Sequence, residues 1–139
     1  MHVGRTKSVL IVNDGGRPTS VLTDIIIHKH DDRGKHRLHL AGDVHIDAKT
    51  FNHIEEVIIP LIDRIIKPLA IPSSHYDLSI KNINAVSIYD QSFEIQGYSA
   101  DAPIFLAILS ATLKLPLSSD FVSTGYISSM DGDINLVRS

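Results

Sequence analysis

The chain has no cysteine, so it carries no disulfide framework, no thiolate zinc site and no cysteine nucleophile. Strong charge of either sign is also missing: 13 Lys+Arg stand against 16 Asp+Glu, a formal net charge of -3. That balance gives no overall attraction to nucleic acid and leaves only a local basic patch for the role. The N-terminal MHVGRTKSVL has no signal-peptide core, and the longest apolar stretches are broken by Pro60, Asp63 and Arg64, well short of a membrane span. Repeats, low-complexity tracts and linkers are lacking too. The expectation is a soluble, cytoplasmic protein without membrane contact. What is present is 43% hydrophobic residues in a chain of 139, enough for a single domain over residues 1–139 with a real core.

Two hydrophobic periods run along it. Ser8 to Val12, Val21 to His30 and Arg37 to Val44 are rich in Val, Ile and Leu, with turn signals at Gly15-Gly16-Arg17-Pro18 and Asp31 to Lys35 between them; they predict an antiparallel meander of three strands. Asp47 suits the cap of a helix in which Phe51, Ile54, Ile58, Leu61 or Ile62, and Ile65 recur at helical spacing. Lys49, Asn52, Glu55, Glu56 and Asp63 are left for solvent, Pro60 should kink or split the helix, and Pro68 and Pro72 should end it. Strands are expected at Tyr76 to Ile83 and Ala85 to Tyr89. Ile104 to Leu115 is apolar nearly all round, as a buried helix is, and Pro116 stops it. Phe121 to Ser128 and Ile134 to Val137 read as a final hairpin turning at Met130-Asp131-Gly132-Asp133. The fold class is α+β, a mixed and mostly antiparallel sheet with two main helices.

Just before the buried helix stands QGYSADAP, Gln96 to Pro103. Helix N-termini present unpaired N–H groups and a partial positive charge, so an anion forming beside Ser99 would be stabilised there. A purely structural role is equally physical, because either Ser99 or Asp101 can cap the helix.

Gly97-Tyr98-Ser99-Ala100, the helix Ala102 to Leu115, the Pro116 break and Asp120 to Ser128, with Thr124-Gly125 inside it, form an ordered set. It resembles the proteolytic domain of Lon proteases, where a G-x-S-A motif opens a helix and a T-G-E-I-T-like strand follows. Leu38 to Val44 is similar to that family's L-T-G strand before its first long helix, and Tyr76 to Ile80 to the strand ahead of the serine loop. The variant Tyr-Ser-Ala-Asp-Ala-Pro looks most like the Lon-like proteins of BREX phage-exclusion systems. The resemblance implies a ribosomal protein S5 domain 2-like fold and a Ser-Lys dyad with Ser99 as nucleophile and Thr124 as a supporting hydroxyl. It implies no cofactor in this domain, but ATP and magnesium in an ATPase module of the parent chain. Polypeptide substrate, a hexameric ring and DNA contact only through the parent belong to the same expectation.

Three positions depart from the family pattern. Its lysine base lies in a G-G-L-K-like segment that would fall beyond Ser139, so residues 1–139 are expected to be an excised domain, inactive alone, or a naturally inactive assembly or regulatory module. Lys81 and Lys114 do not match that motif, and Arg138 stays protonated. Asp101 replaces the small residue usual after Ser-Ala, and Tyr126 replaces the acidic residue of the later strand.

Other constellations have plainer explanations. His28, His30, His36 and His39 flank the Asp31 to Lys35 turn, and simple pairing would set His30 opposite His36; no metal is expected, since histidines near a hairpin tip are ordinarily solvated. His45 between Asp43 and Asp47 fits a strand end and a helix cap. Asp131-Gly132-Asp133 lacks the other oxygens of a calcium loop. Lys29, Arg33, Lys35 and Arg37 make a small basic tip without interleaved aromatics. Lys29, Arg33 and Lys35 of that tip and the acidic helix face of Glu55, Glu56 and Asp63 suit a head-to-tail contact between copies, or simple solvation. Gly15-Gly16 has no helix after it, unlike the phosphate loop of the small-molecule kinases that share the fold class.

Overall fold

A computed structural model describes residues 3–14, 17–31, 34–41, 44–82, 93–95, 100–118, 126–127 and 134–135. β1 (Arg5–Asp14) and β2 (Arg17–His30) form a long antiparallel hairpin, from Arg5 opposite Ile26 to Asp14 opposite Arg17 at the tip. Both strands begin before the apolar runs do. The ladder continues through polar residues: Thr6, Ser8 and Thr23 face inward, and Thr23 Oγ1 donates to the Ser8 carbonyl at 2.9 Å.

The stretch expected as one third strand is two, β3 (Leu38–Leu40) and β4 (Val44–Ile46). Next come α1 (Ala48–His53), a wide π-type turn over Ile54–Ile58, α2 (Ile59–Ile66) and a 3-10 turn at Lys67–Leu69. Asp47 caps α1, its Oδ1 accepting from Thr50 N at 3.1 Å. Pro60 lies in the first turn of α2, directly after the wide turn that divides the helix from α1. It has no N–H to give and its ring crowds the preceding turn, and here the turn has widened, with Ile59 N–H donating to the Ile54 carbonyl five residues back. Pro68 sits within the 3-10 turn, and the helix ends at Ala70 with a left-handed φ of 57°.

β5 (His75–Asn82) corrects the meander. It pairs antiparallel with β2, putting Ile25 beside Ile80 and Ile27 beside Leu78, while β3 runs parallel to β5 on its far side, so the sheet order is β1-β2-β5-β3. Alternation explains the choice. Tyr76, Leu78 and Ile80 are buried and continue the inner face begun by Ile25 and Ile27, whereas three-residue β3 adds only Leu38 fully to it. The helical crossover between β3 and β5 then makes them parallel neighbours.

β6 (Phe93–Ile95) pairs parallel with β4. α3 (Asp101–Leu113) follows, and β7 (Tyr126–Ile127) pairs antiparallel with β8 (Ile134–Asn135), as the expected last hairpin requires; its turn residues lie outside the described set, as does the strand expected at Ala85 to Tyr89. The class is α+β with a mixed sheet, compatible with a Lon proteolytic-like domain.

α3 packs on β1 and β2 and touches α2 and the wide turn. Ile104 and Ile108 from α3, Ile58 and Ile62 from the long helix, and Ile25 and Leu78 from the sheet meet in one core. Gly4 locks the hairpin to α3. Its N–H donates to Ser110 Oγ at 2.9 Å and its carbonyl accepts from Ile27 N at 2.7 Å, with φ at +72°. Inside the core the Tyr76 hydroxyl is 3.1 Å from Thr112 Oγ1, which in turn donates to the Ile108 carbonyl at 2.8 Å. Burial pushes the Tyr76 phenol above its ordinary pKa, the bond to Thr112 only partly opposing it.

Candidate active site

The first turn of α3 is where the sequence places its chemistry. The helix begins at Asp101, three residues earlier than the apolar run alone suggests, and its N-cap is Ala100, which has no side chain able to cap. Asp101 lies inside the first turn and not at the cap position, while the cap reading of Ser99 falls on a residue outside the described set. Ser99 and Thr124 themselves lie outside the described residues.

Asp101 turns to a partner on another helix. Its Oδ2 lies 2.8 Å from His53 Nε2. A carboxylate oxygen accepts, so the imidazole N–H donates. The Asp101 side chain is 1% exposed and that of His53 11%. A carboxylate this deep needs a hydrogen-bonded partner, because burying an unpaired charge is severely unfavourable. His53 is the last residue of α1, directly ahead of the wide turn.

The pair was not foreseen, although a signal for half of it existed. Thr50, Ile54 and Ile58 define the buried stripe of the helix, and His53 lies three residues after Thr50, on that same stripe. A polar residue there requires a buried partner. Asp101 was singled out as out of place, but nothing in the sequence joins positions 48 apart.

Other predicted features fall into place elsewhere. Lys81 is exposed on β5 opposite Asp24, and Lys114 is exposed at the C-terminal end of α3 with a left-handed φ of 56°, so neither stands at the start of α3. Opposite His30 stands His75, not His36. His30, His39 and His75 cluster on the outer face of the sheet, His39 Nε2 being 3.4 Å from His75 Nδ1 and His30 Nε2 3.1 Å from Asp77 Oδ1. Among the described residues no three His, Cys, Asp or Glu are placed to hold a metal ion. His45 is exposed on β4, and Asp47 serves as the helix cap. Asp131-Gly132-Asp133 and Arg33 lie outside the described residues.

The acidic helix face and basic tip are less free than their sequence suggests. Glu55 Oε1 accepts from Leu38 N at 2.8 Å. Asp63 pairs with Arg37, whose Nε and Nη2 also donate to the Ser74 carbonyl at 3.0 and 2.9 Å. Burial works against the Arg37 charge, but the hydrogen bonds and charge of Asp63 outweigh it and raise the guanidinium above its ordinary pKa. Glu56, Lys29 and Lys35 are among the described residues and Arg33 is not, so the head-to-tail contact stays an expectation.

No family model matches the chain. The Archaeal Lon protease of Methanocaldococcus jannaschii is 32% identical to it over 126 residues, covering 88% of this chain. The chain is Lon-like. A match of that extent in 139 residues necessarily takes in α1 through α3 and Ser99. The chain spans 18% of the length of that relative. Among the described residues no helix is long and apolar enough to cross a membrane.

Proposed function

We propose that the chain is the peptidase domain of a Lon-type, ATP-dependent protease, with Ser99 as its nucleophile. The observation that carries this reading is the similarity to the archaeal Lon protease across the stretch holding Ser99, which the sequence sets one residue before the N-cap of a buried helix. In the reaction, Ser99 Oγ attacks the carbonyl of a scissile peptide while a base takes its proton. The amine leaves, and water hydrolyses the resulting ester. N–H groups at the start of α3 suit the developing oxyanion. The base proposed is a lysine amine from the segment that follows β8 in the parent protein, and Thr124 is the supporting hydroxyl. The domain would work in the cytoplasm beside an ATPase module that binds ATP and magnesium, within a hexameric ring threading polypeptide, and a BREX-type phage-exclusion system is the proposed setting. Any contact with DNA would be made through the parent.

A second reading is supported by Asp101, whose buried carboxylate stands two residues from Ser99: a Lon-like module kept for assembly or regulation. Treating the full-length protein with a fluorophosphonate separates the two. Modification of Ser99, lost in Ser99→Ala and accompanied by hydrolysis of an unfolded polypeptide, is the expected result. An unmodified Ser99 in folded protein would leave the assembly reading.

A further inference from the structure

The bond between His53 and Asp101 joins the last residue of α1 to the first turn of α3, two residues along the chain from Ser99. Among the described residues no side chain caps α3, whose N-cap is Ala100. A first-turn aspartate commonly serves its own helix end; this one instead reaches across to the last residue of α1. Both ends of the link are set in the core. Ile54 follows His53 and is fully buried, and Ala100 and Ile104 on either side of Asp101 are 1% and 0% exposed. The wide turn begins immediately after His53, a feature that often marks functional positions in helices. The Asp101 and His53 side chains are 1% and 11% exposed, so water competes for the link far less than it does for a surface pair. There is an electrostatic side as well. A carboxylate two residues from a nucleophile opposes the negative charge that forms on an attacked carbonyl, and a ring N–H aimed at that carboxylate holds it and draws its charge elsewhere.

We propose that His53, acting through Asp101, is a positioning residue: it fixes the first turn of α3, to which Ser99 is joined by Ala100 alone, in the orientation that attack requires. The inference rests on the proposed reading of Ser99 as nucleophile. His53 takes no proton from the serine in this scheme. Its Nε2–H is committed to Asp101, and the link acts on geometry and local charge only.

The test uses the full-length protein and two readouts, saturation kinetics of fluorophosphonate labelling at Ser99 and amide hydrogen exchange along α3. His53→Leu should slow the maximal labelling rate by about tenfold to a hundredfold with little change in the apparent affinity for the probe, as a misplaced nucleophile does. The same variant should speed exchange at Ala102 to Ile104 by about tenfold while leaving Ile108 to Leu113 protected as before. His53→Gln, whose side-chain amide can still donate to Asp101, should restore both readouts to within about threefold of wild type. His53→Met, more adaptable in packing, takes the place of His53→Leu where that variant does not fold. Labelling as fast as wild type in the apolar variants, despite looser exchange at the start of α3, would overturn the positioning role. Equal loss of protection along all of α3 would overturn it too, by showing general destabilisation. A wild-type protein whose Ser99 takes no label overturns the nucleophile reading itself, a result distinguishable from the others because it precedes any substitution.

Discussion

Arg37 grips Asp63 with both terminal nitrogens of its guanidinium, Nη2 donating to Oδ1 at 2.9 Å and Nη1 to Oδ2. A residue just ahead of β3 is thereby fastened to α2, and through the Ser74 carbonyl to the segment entering β5. Planar two-point recognition of this kind is beyond a lysine. Arg37→Ala and Asp63→Ala should each lower stability, and a double-mutant cycle by urea unfolding should give a coupling of about 1–2 kcal/mol. Arg37→Lys should recover less than half of it. Additive losses in the cycle would show that the two residues act separately.

Tyr76 gives the chain a distinct alkaline response. Its folded pKa is raised, chiefly by burial, so the folded state keeps the phenol proton to a higher pH than the unfolded chain does. The stabilisation is complete below the unfolded value, about 10, and is lost as pH rises through the folded value. Wild type should therefore lose stability more steeply than Tyr76→Phe above about pH 10. At neutral pH Tyr76→Phe should cost about 0.5–1.5 kcal/mol, the worth of the hydroxyl bond to Thr112. Urea unfolding at neutral and alkaline pH measures both; parallel pH curves for the two proteins would contradict the assignment.

Gly4 should tolerate no side chain. Its φ of +72° disfavours L residues, and a Cβ there would run into the Ile27 carbonyl, a backbone atom that cannot swing aside. Gly4→Ala should cost about 2 kcal/mol or more. Calorimetry would register it as a clear fall in melting temperature, and an unchanged value would refute the left-handed conformation.

Two further substitutions grade the helices. Asp47→Ala removes the acceptor of the Thr50 N–H and should cost about 1 kcal/mol. Ile108→Ala, at a fully buried position of α3, should cost about 2–5 kcal/mol. A reversal of that order in chemical unfolding would place the core elsewhere.

Much of this architecture could be read from local pattern. The buried helix, the long amphipathic helix with its Asp47 cap, and the antiparallel pairings of β1 with β2 and of β7 with β8 each announce themselves within a few residues, because caps, turns and apolar periods are short-range chemistry. What escaped was long-range. β3 and the end of β2 are close in sequence, which favoured a meander, yet β5 displaces β3 because its run of alternating apolar residues is longer and continues the inner face better. Asp63 and Glu55 read as solvated helix residues, and only the docking of β3 and Arg37 against that helix reveals them as partners. At the candidate site the serine motif stands out in the sequence because it is contiguous, although Ser99 itself lies outside the described residues. The His53–Asp101 link does not stand out, since its halves meet only once both helices are packed.

The placement of β5 also has a consequence during synthesis. β2 ends at His30, but the strand that covers its second edge does not begin until His75. At translation rates of roughly 5–20 residues per second, the hairpin leaves the ribosome several seconds ahead of its neighbour. In that interval β2 presents an unpaired edge with Ile25 and Ile27 still uncovered, the kind of surface that pairs with other chains or recruits a chaperone. Newly made chains halted between β2 and β5 should therefore be far more prone to aggregate than those released after Asn82, because only the latter can close the middle of the sheet.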